Sequence, residues 1–324
     1  MVSIKLEDID SEVLSHILMN GEKFLGSGLN ETLPELGPLQ LIGSVFKGSP
    51  HTEREAVEVA VNRLGKKHTT FSWKYEDTPS TDELLMRLKM ISETVDFLLT
   101  SYVDNDTFSE GRILTTKLSE YNSAPSFSIR DDIYANLSGL SILLGLKHRL
   151  GLLKGKRIAI VWVFGSQFVS PSLGHSILSL GSKAGAQMSV VAPDKFSLLS
   201  RVVRKSEKEG AVDIVSSMGD TLKGFDAIIP INWHRFEDFS YPERNMKTAS
   251  EFKDWYVDEE KVTTDTLVIT EPPHQMDISI SKGILQRDTN LTNAWYNLVT
   301  ATLTSAMEFA TTESKAASEP VFLY

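Results

Sequence analysis

Apolar positions along the chain switch repeatedly between two patterns. Short continuous apolar runs, typical of strands buried on both faces of a parallel sheet, alternate with longer stretches whose apolar residues recur at helical spacing. The clearest unit is Arg157–Val163 (RIAIVWV), a loop Phe164–Ser172, a helical stretch Leu173–Ala184 with Gly185 as its cap, and a second strand Met188–Ala192 ended by Pro193. This is a β-α-β unit, and ligands of such sheets sit beyond the carboxyl ends of the strands. Phe164–Ser172 lies at that edge and is long for a β-α connection, so it is predicted to do more than turn.

The same reading predicts helices over Asp8–Phe24, Thr52–Leu64 and Ser80–Thr94, and strands over Leu39–Phe46, Lys67–Trp73 and Phe97–Val103. Asp104–Glu120 gives no clear element. Tyr134–Leu153 is a long apolar helix read as the bridge between two domains, with the boundary near Leu146. Beyond the central unit come a helix Phe196–Glu209, strands Val212–Ser216 and Asp226–Pro230, a helix Thr248–Glu260, a strand Thr266–Thr270, a final helix Asn290–Phe309 and a polar tail Ala310–Tyr324. The predicted class is α/β, with two doubly wound parallel-sheet domains, 1–146 and 147–296, and a C-terminal helix and tail, 297–324, returning to the first domain.

Composition narrows the functional classes. The chain has 324 residues, 41% hydrophobic, and a net charge of −10, which argues against a nucleic-acid or anionic-membrane partner. No run approaches the roughly 20 apolar residues of a membrane helix, and the acidic start lacks the features of a signal peptide. With no cysteine there is neither disulfide nor thiolate nucleophile, and the expected location is cytoplasmic. No G-x-G-x-x-G, P-loop, G-x-S-x-G or H-x-x-x-H is present, so no cofactor and no metal are expected. Arg201, Arg204 and Lys205 read as one solvated helix face, and Trp255 and Tyr256 as core.

Several segments resemble the transcarbamylases, in order along nearly the whole chain. Phe46-Lys47-Gly48-Ser49-Pro50-His51-Thr52 resembles their phosphate loop, F-x-x-S-T-R-T, between a strand and a helix. The bridging helix precedes the central strand at the family's spacing. Trp162 through Pro171 lies without a gap on the proline-bearing loop of the knotted subfamily, which includes the acetylornithine and succinylornithine enzymes and the YgeW type. Ile229-Pro230-Ile231-Asn232-Trp233 resembles the YgeW-type Y-P-x-x-W, and Lys253-Asp254-Trp255 with Glu259-Glu260 its K-D-W-x-x-x-E-E. The resemblance implies a knot in the second domain, a homotrimer, and a site for carbamoyl phosphate and a small amino acid.

In that chemistry an amine attacks the carbonyl of carbamoyl phosphate. Arginines and helix-start N–H groups hold the phosphate, and an Arg, a His and a Gln stabilise the charge building on the carbonyl oxygen. The resemblance therefore places the anion side at Ser49, His51, Thr52, Ser138, Thr270, Glu271 and Pro273, and the amino-acid side at Trp162, Pro171, Trp233, Arg235 and His274. No catalytic residue is assigned, because this chain departs from the motifs. The loop arginine is His51, and the next T-R becomes Thr52-Glu53, adding a negative charge. The family's second arginine falls at Ser101 or Tyr102. H-P-x-Q falls on Ala135-Asn136-Leu137-Ser138, and H-C-L-P becomes Thr270-Glu271-Pro272-Pro273. Lys47 and Arg54 flank the loop and read as solvated surface charges. Two readings follow: a divergent carbamoyltransferase acting on the amine of a small amino acid, or a catalytically silent homologue serving as a ligand-binding protein or as partner to a catalytically complete paralogue.

Overall fold

A computed structural model describes residues 3–26, 36, 39–48, 50–72, 81–103, 107–121, 123–273 and 275–318. It divides into two compact units. Unit 1 comprises residues 1–132 and 296–324, and unit 2 runs without interruption from 133 to 295. The predicted fold class is the observed one: each unit is built on a five-stranded, wholly parallel sheet with helices packed on it.

In unit 1 the elements are β1 (Ser3–Ile4), α1 (Ser11–Gly26), β2 (Leu41–Lys47), α2 (His51–Arg63), β3 (Lys67–Ser72), α3 (Thr81–Ser92), β4 (Phe97–Tyr102), α4 (Glu110–Tyr121) and β5 (Ser126–Arg130). The sheet order is β1-β5-β4-β2-β3. β4 is buried along its whole length, its polar Thr100 and Ser101 included. α3 and α4 turn Leu84, Leu85, Leu88, Leu114 and Leu118 onto it. β5 lies where no element was predicted: Ser-Phe-Ser-Ile-Arg carries only two apolar residues, too few to stand out as a run.

Unit 2 contains α5 (Asn136–Leu150), β6 (Arg157–Trp162), α6 (Ser172–Lys183), β7 (Gln187–Val191), α7 (Ser200–Glu209), β8 (Val212–Val215), β9 (Ala227–Ile231), α8 (Pro242–Ala249), β10 (Leu267–Val268) and α9 (Lys282–Leu285), in sheet order β10-β9-β6-β7-β8. α10 (Trp295–Ser318) then enters unit 1. It is fastened to α1 by Asn20 Nδ2 donating to Glu308 (3.0 Å) and to α2 by Arg63 donating to Asn297 (2.8 Å). It runs well into the stretch read as a polar tail. α5 is buried from Asn136 through Leu146 because it lies against α6, and a Cβ at Gly139 would stand 2.8 Å from the Cβ of Ser176. The whole bridging helix thus belongs to unit 2, and the chain passes between units at 132/133, ahead of the residue 146 suggested by the sequence.

The helix predicted over Thr248–Glu260 is instead α8, which starts with Pro242 at its first position and ends in a 3-10 turn, Ser250–Phe252. The chain leaves the helical path there because the Trp255 carbonyl accepts the Phe164 N–H (2.7 Å) and its ring packs edge-on against Trp162. The α7 helix begins at Ser200 and not at Phe196 for a similar reason, since the Phe196 ring lies 4.2 Å from that of Trp162.

Candidate functional site

At the carboxyl end of the unit 1 sheet, charged side chains are packed inside. Lys47 closes β2 and is 8% exposed; its Nζ donates to the Tyr102 hydroxyl at the end of β4 (2.8 Å) and lies 4.7 Å from that ring. The surface reading of Lys47 is thereby corrected: pairing of β2 with β4 puts Lys47 opposite Tyr102 and covers it. Glu53, in the first turn of α2, is 3% exposed. The Arg130 Nε donates to one of its carboxylate oxygens (2.5 Å) and the Ser101 hydroxyl to the other (2.5 Å). Next to them Asp131 accepts from Arg112 (2.9 Å), which also pairs with Glu7, and Asp132 accepts from the Gly111 N–H (2.7 Å). Burial works against the Arg112 charge, but Asp131 and Glu7 more than offset it and raise its pKa above the ordinary arginine value.

The α2 start itself is plainer. Its cap residue is Pro50, without a side-chain cap bond; His51 is exposed at the first position, and Thr52 Oγ1 is buried with no hydrogen-bond partner among the described residues. Arg54 is half-buried, its guanidinium 5.4 Å from the Phe46 ring. Ser49 and His274 lie outside the described residues.

At the carboxyl end of the unit 2 sheet two predicted residues meet. Ser138, in the first turn of α5, donates to the Glu271 carboxylate (2.6 Å). Thr270, just beyond β10, is 6% exposed and donates through Oγ1 to the Pro230 carbonyl (2.7 Å). Pro273 follows in a cis Pro272–Pro273 bond and is exposed.

The residues assigned to the amino-acid side form two other groups. Trp162 and Trp233 are both fully buried: the Trp162 N–H donates to the Trp233 carbonyl (2.9 Å), and the Trp233 N–H donates to the Phe196 carbonyl (3.0 Å). Their indoles are core, joined because β6 and β9 are neighbours. The Arg235 guanidinium is held by Asp238 (2.9 Å) and Glu237 (3.4 Å) and donates to the Lys195 carbonyl (3.2 Å). Pro171 precedes α6, its carbonyl accepting the His175 N–H (3.0 Å).

The long loop after β6 is stitched down. Val169 exchanges backbone bonds with Asn232 (3.0 Å) and His234 (3.1 Å), and the Gln275 amide accepts from the Ser166 N–H (2.5 Å) while donating to the Gln167 carbonyl (3.0 Å). His175 underlies it, wholly buried. Its Nδ1 donates to the Ile133 carbonyl (2.8 Å), which leaves Nε2 to accept the Leu199 N–H (3.1 Å). Desolvation pushes its pKa down to about 4, so it is neutral and structural.

Sequence reasoning missed Arg130, Ser101 as a carboxylate donor, and Gln275. For Arg130 the only available signal was alternation in S-F-S-I-R with a cation at its end. Among the described residues no three His, Cys, Asp or Glu side chains are grouped as metal ligands, and no helix is long and apolar enough to cross a membrane.

No family model and no curated protein sequence matches the chain. Solved structures do. An acetylornithine transcarbamylase complexed with acetylcitrulline superposes with a TM-score of 0.83 at 14% identity, covering 95% of this chain and 98% of that one. The chain has the transcarbamylase fold. A mutant N-acetyl-L-ornithine transcarbamylase complexed with PALAO gives the same score and identity over 95% and 99% of the two chains. Another, complexed with carbamyl phosphate and N-succinyl-L-norvaline, gives 0.82 at 14% identity over 95% and 99%.

Proposed function

We propose that this chain is a catalytically silent homologue of the transcarbamylases, serving as a ligand-binding protein or partner subunit. The observation that carries this reading is the Glu271 carboxylate accepting from Ser138 at the first turn of α5. By resemblance, Ser138 stands where the enzymes present their glutamine donor to the carbonyl oxygen, and Glu271 falls within their H-C-L-P segment. Carbamoyl transfer builds negative charge on that oxygen, and each preorganised donor there is worth about 3–4 kcal/mol of barrier. A carboxylate at the same place repels the charge. The ligand class that fits the reading is a small amino acid, since the structural neighbours are complexed with amino-acid analogues. The reading carries with it the expectations of a knotted loop in unit 2, a homotrimer and a cytoplasmic location.

The divergent-transferase reading has one observation in its favour: Lys47 places a buried cation at the end of β2, next to the start of α2. An assay for ureido product, with carbamoyl phosphate and ornithine, acetylornithine or succinylornithine, separates the two. Silence predicts no product above the uncatalysed rate with any amine. Turnover that Lys47→Met abolishes would establish the transferase instead.

A further inference from the structure

Glu53 is held the way a bound anion is held. Both of its carboxylate oxygens have a separate donor, Arg130 Nε and Ser101 Oγ, each at 2.5 Å, and all three side chains are at most 3% exposed. The donors belong to the sheet, where Ser101 and Arg130 are register partners on β4 and β5. The ladder is irregular between Thr100 and Ser101, and such irregularities re-aim side chains. The acceptor arrives from elsewhere, on the first turn of a 13-residue helix whose positive end also favours a negative charge. A preformed guanidinium–hydroxyl cradle is thus filled by a tethered carboxylate. Charge-assisted bonds of this kind are made to carboxylate and to phosphate oxygens.

We propose that Arg130 and Ser101 form an oxyanion site that the chain occupies with its own Glu53, so that an anion from solution enters only when that side chain is removed. The inference stands apart from whether the chain transfers carbamoyl groups, because it concerns binding at one cradle inside unit 1. Removing the tether while keeping the cradle leaves a buried guanidinium facing a carboxylate-sized gap. Filling that gap from solution stabilises the fold by mass action.

The test is thermal unfolding of the full chain as wild type, Glu53→Ala and Glu53→Gln, titrated with formate, acetate or inorganic phosphate against chloride at matched ionic strength. Glu53→Ala is expected to melt lower than wild type and to regain stability saturably with at least one of the three anions. Wild type and Glu53→Gln, whose gap is filled, are expected to respond no more than they do to chloride. A gain with formate or acetate identifies a carboxylate site, and a gain confined to phosphate identifies a phosphate site. Absence of any saturable gain in Glu53→Ala overturns the proposal, as does an equal gain in Glu53→Ala/Arg130→Met, where the cradle is gone. If Glu53→Ala is recovered unfolded, refolding yield in formate, acetate or phosphate replaces the melt: a higher yield than in chloride supports the site, and equal yields with all three count against it.

Discussion

In unit 1 the carboxyl ends of the strands carry charges: Lys47, Arg130 and the carboxylates around them are packed out of water. In unit 2 the ends of β6 and β9 carry indoles and neutral donors, with Trp162, Trp233, Phe196 and Trp255 interlocked. Both ends are filled by the chain itself, but they resist change differently. An aromatic cluster loses stability in proportion to the volume removed, whereas an ionic cluster loses most when a single partner goes and strands the other.

The largest effect expected is on the ionic side. Arg130→Met leaves Glu53 buried without its guanidinium and should cost about 3–5 kcal/mol in denaturant unfolding, while Glu53→Leu/Arg130→Met should recover much of that loss. If the double variant is as unstable as the single one, the contrast between the two ends collapses. Trp233→Ala should also cost about 3–5 kcal/mol, but no second substitution at a polar partner should restore it. Acidity separates the units next. His175 has an ordinary pKa of 6.5 that folding lowers to about 4, so the unfolded chain binds the proton more readily. Stability is therefore full above the ordinary value and falls as pH drops through the interval toward 4, by on the order of 3 kcal/mol. His175→Asn should flatten that part of the stability–pH profile, and an unchanged slope would remove His175 as its source. The smallest effect belongs to the exposed pair Lys195–Glu251 (2.6 Å), where Lys195→Ala should change stability by less than about 1 kcal/mol.

Much of the body plan was legible because strands buried in parallel sheets read as mainly apolar runs: β6 does so without a break after Arg157, and β2, β4 and β7 do so with one or two polar residues among the apolar ones. The meeting of Ser138 with Glu271 was legible only through the resemblance, as two positions assigned to one site. The ionic cluster was not legible. Glu53 and Arg130 stand 77 residues apart, β5 has too few apolar residues to announce itself, and the burial of Lys47 depends on Tyr102 arriving from another strand. Charges read one at a time look solvated; only the register of the sheet reveals which are enclosed. The loop after β6 was read as more than a turn, and its backbone pairing with Asn232 and His234 shows what it does there.

The return of α10 to unit 1 sets an order of events on the ribosome. Residues 133–295 emerge as one uninterrupted stretch and can complete their own sheet, while the earlier lobe waits for a helix that has not yet been made. At about 5–20 residues per second that wait lasts roughly 8–30 s, during which α1 and α2 lack their last covering partner and chaperones have their opening.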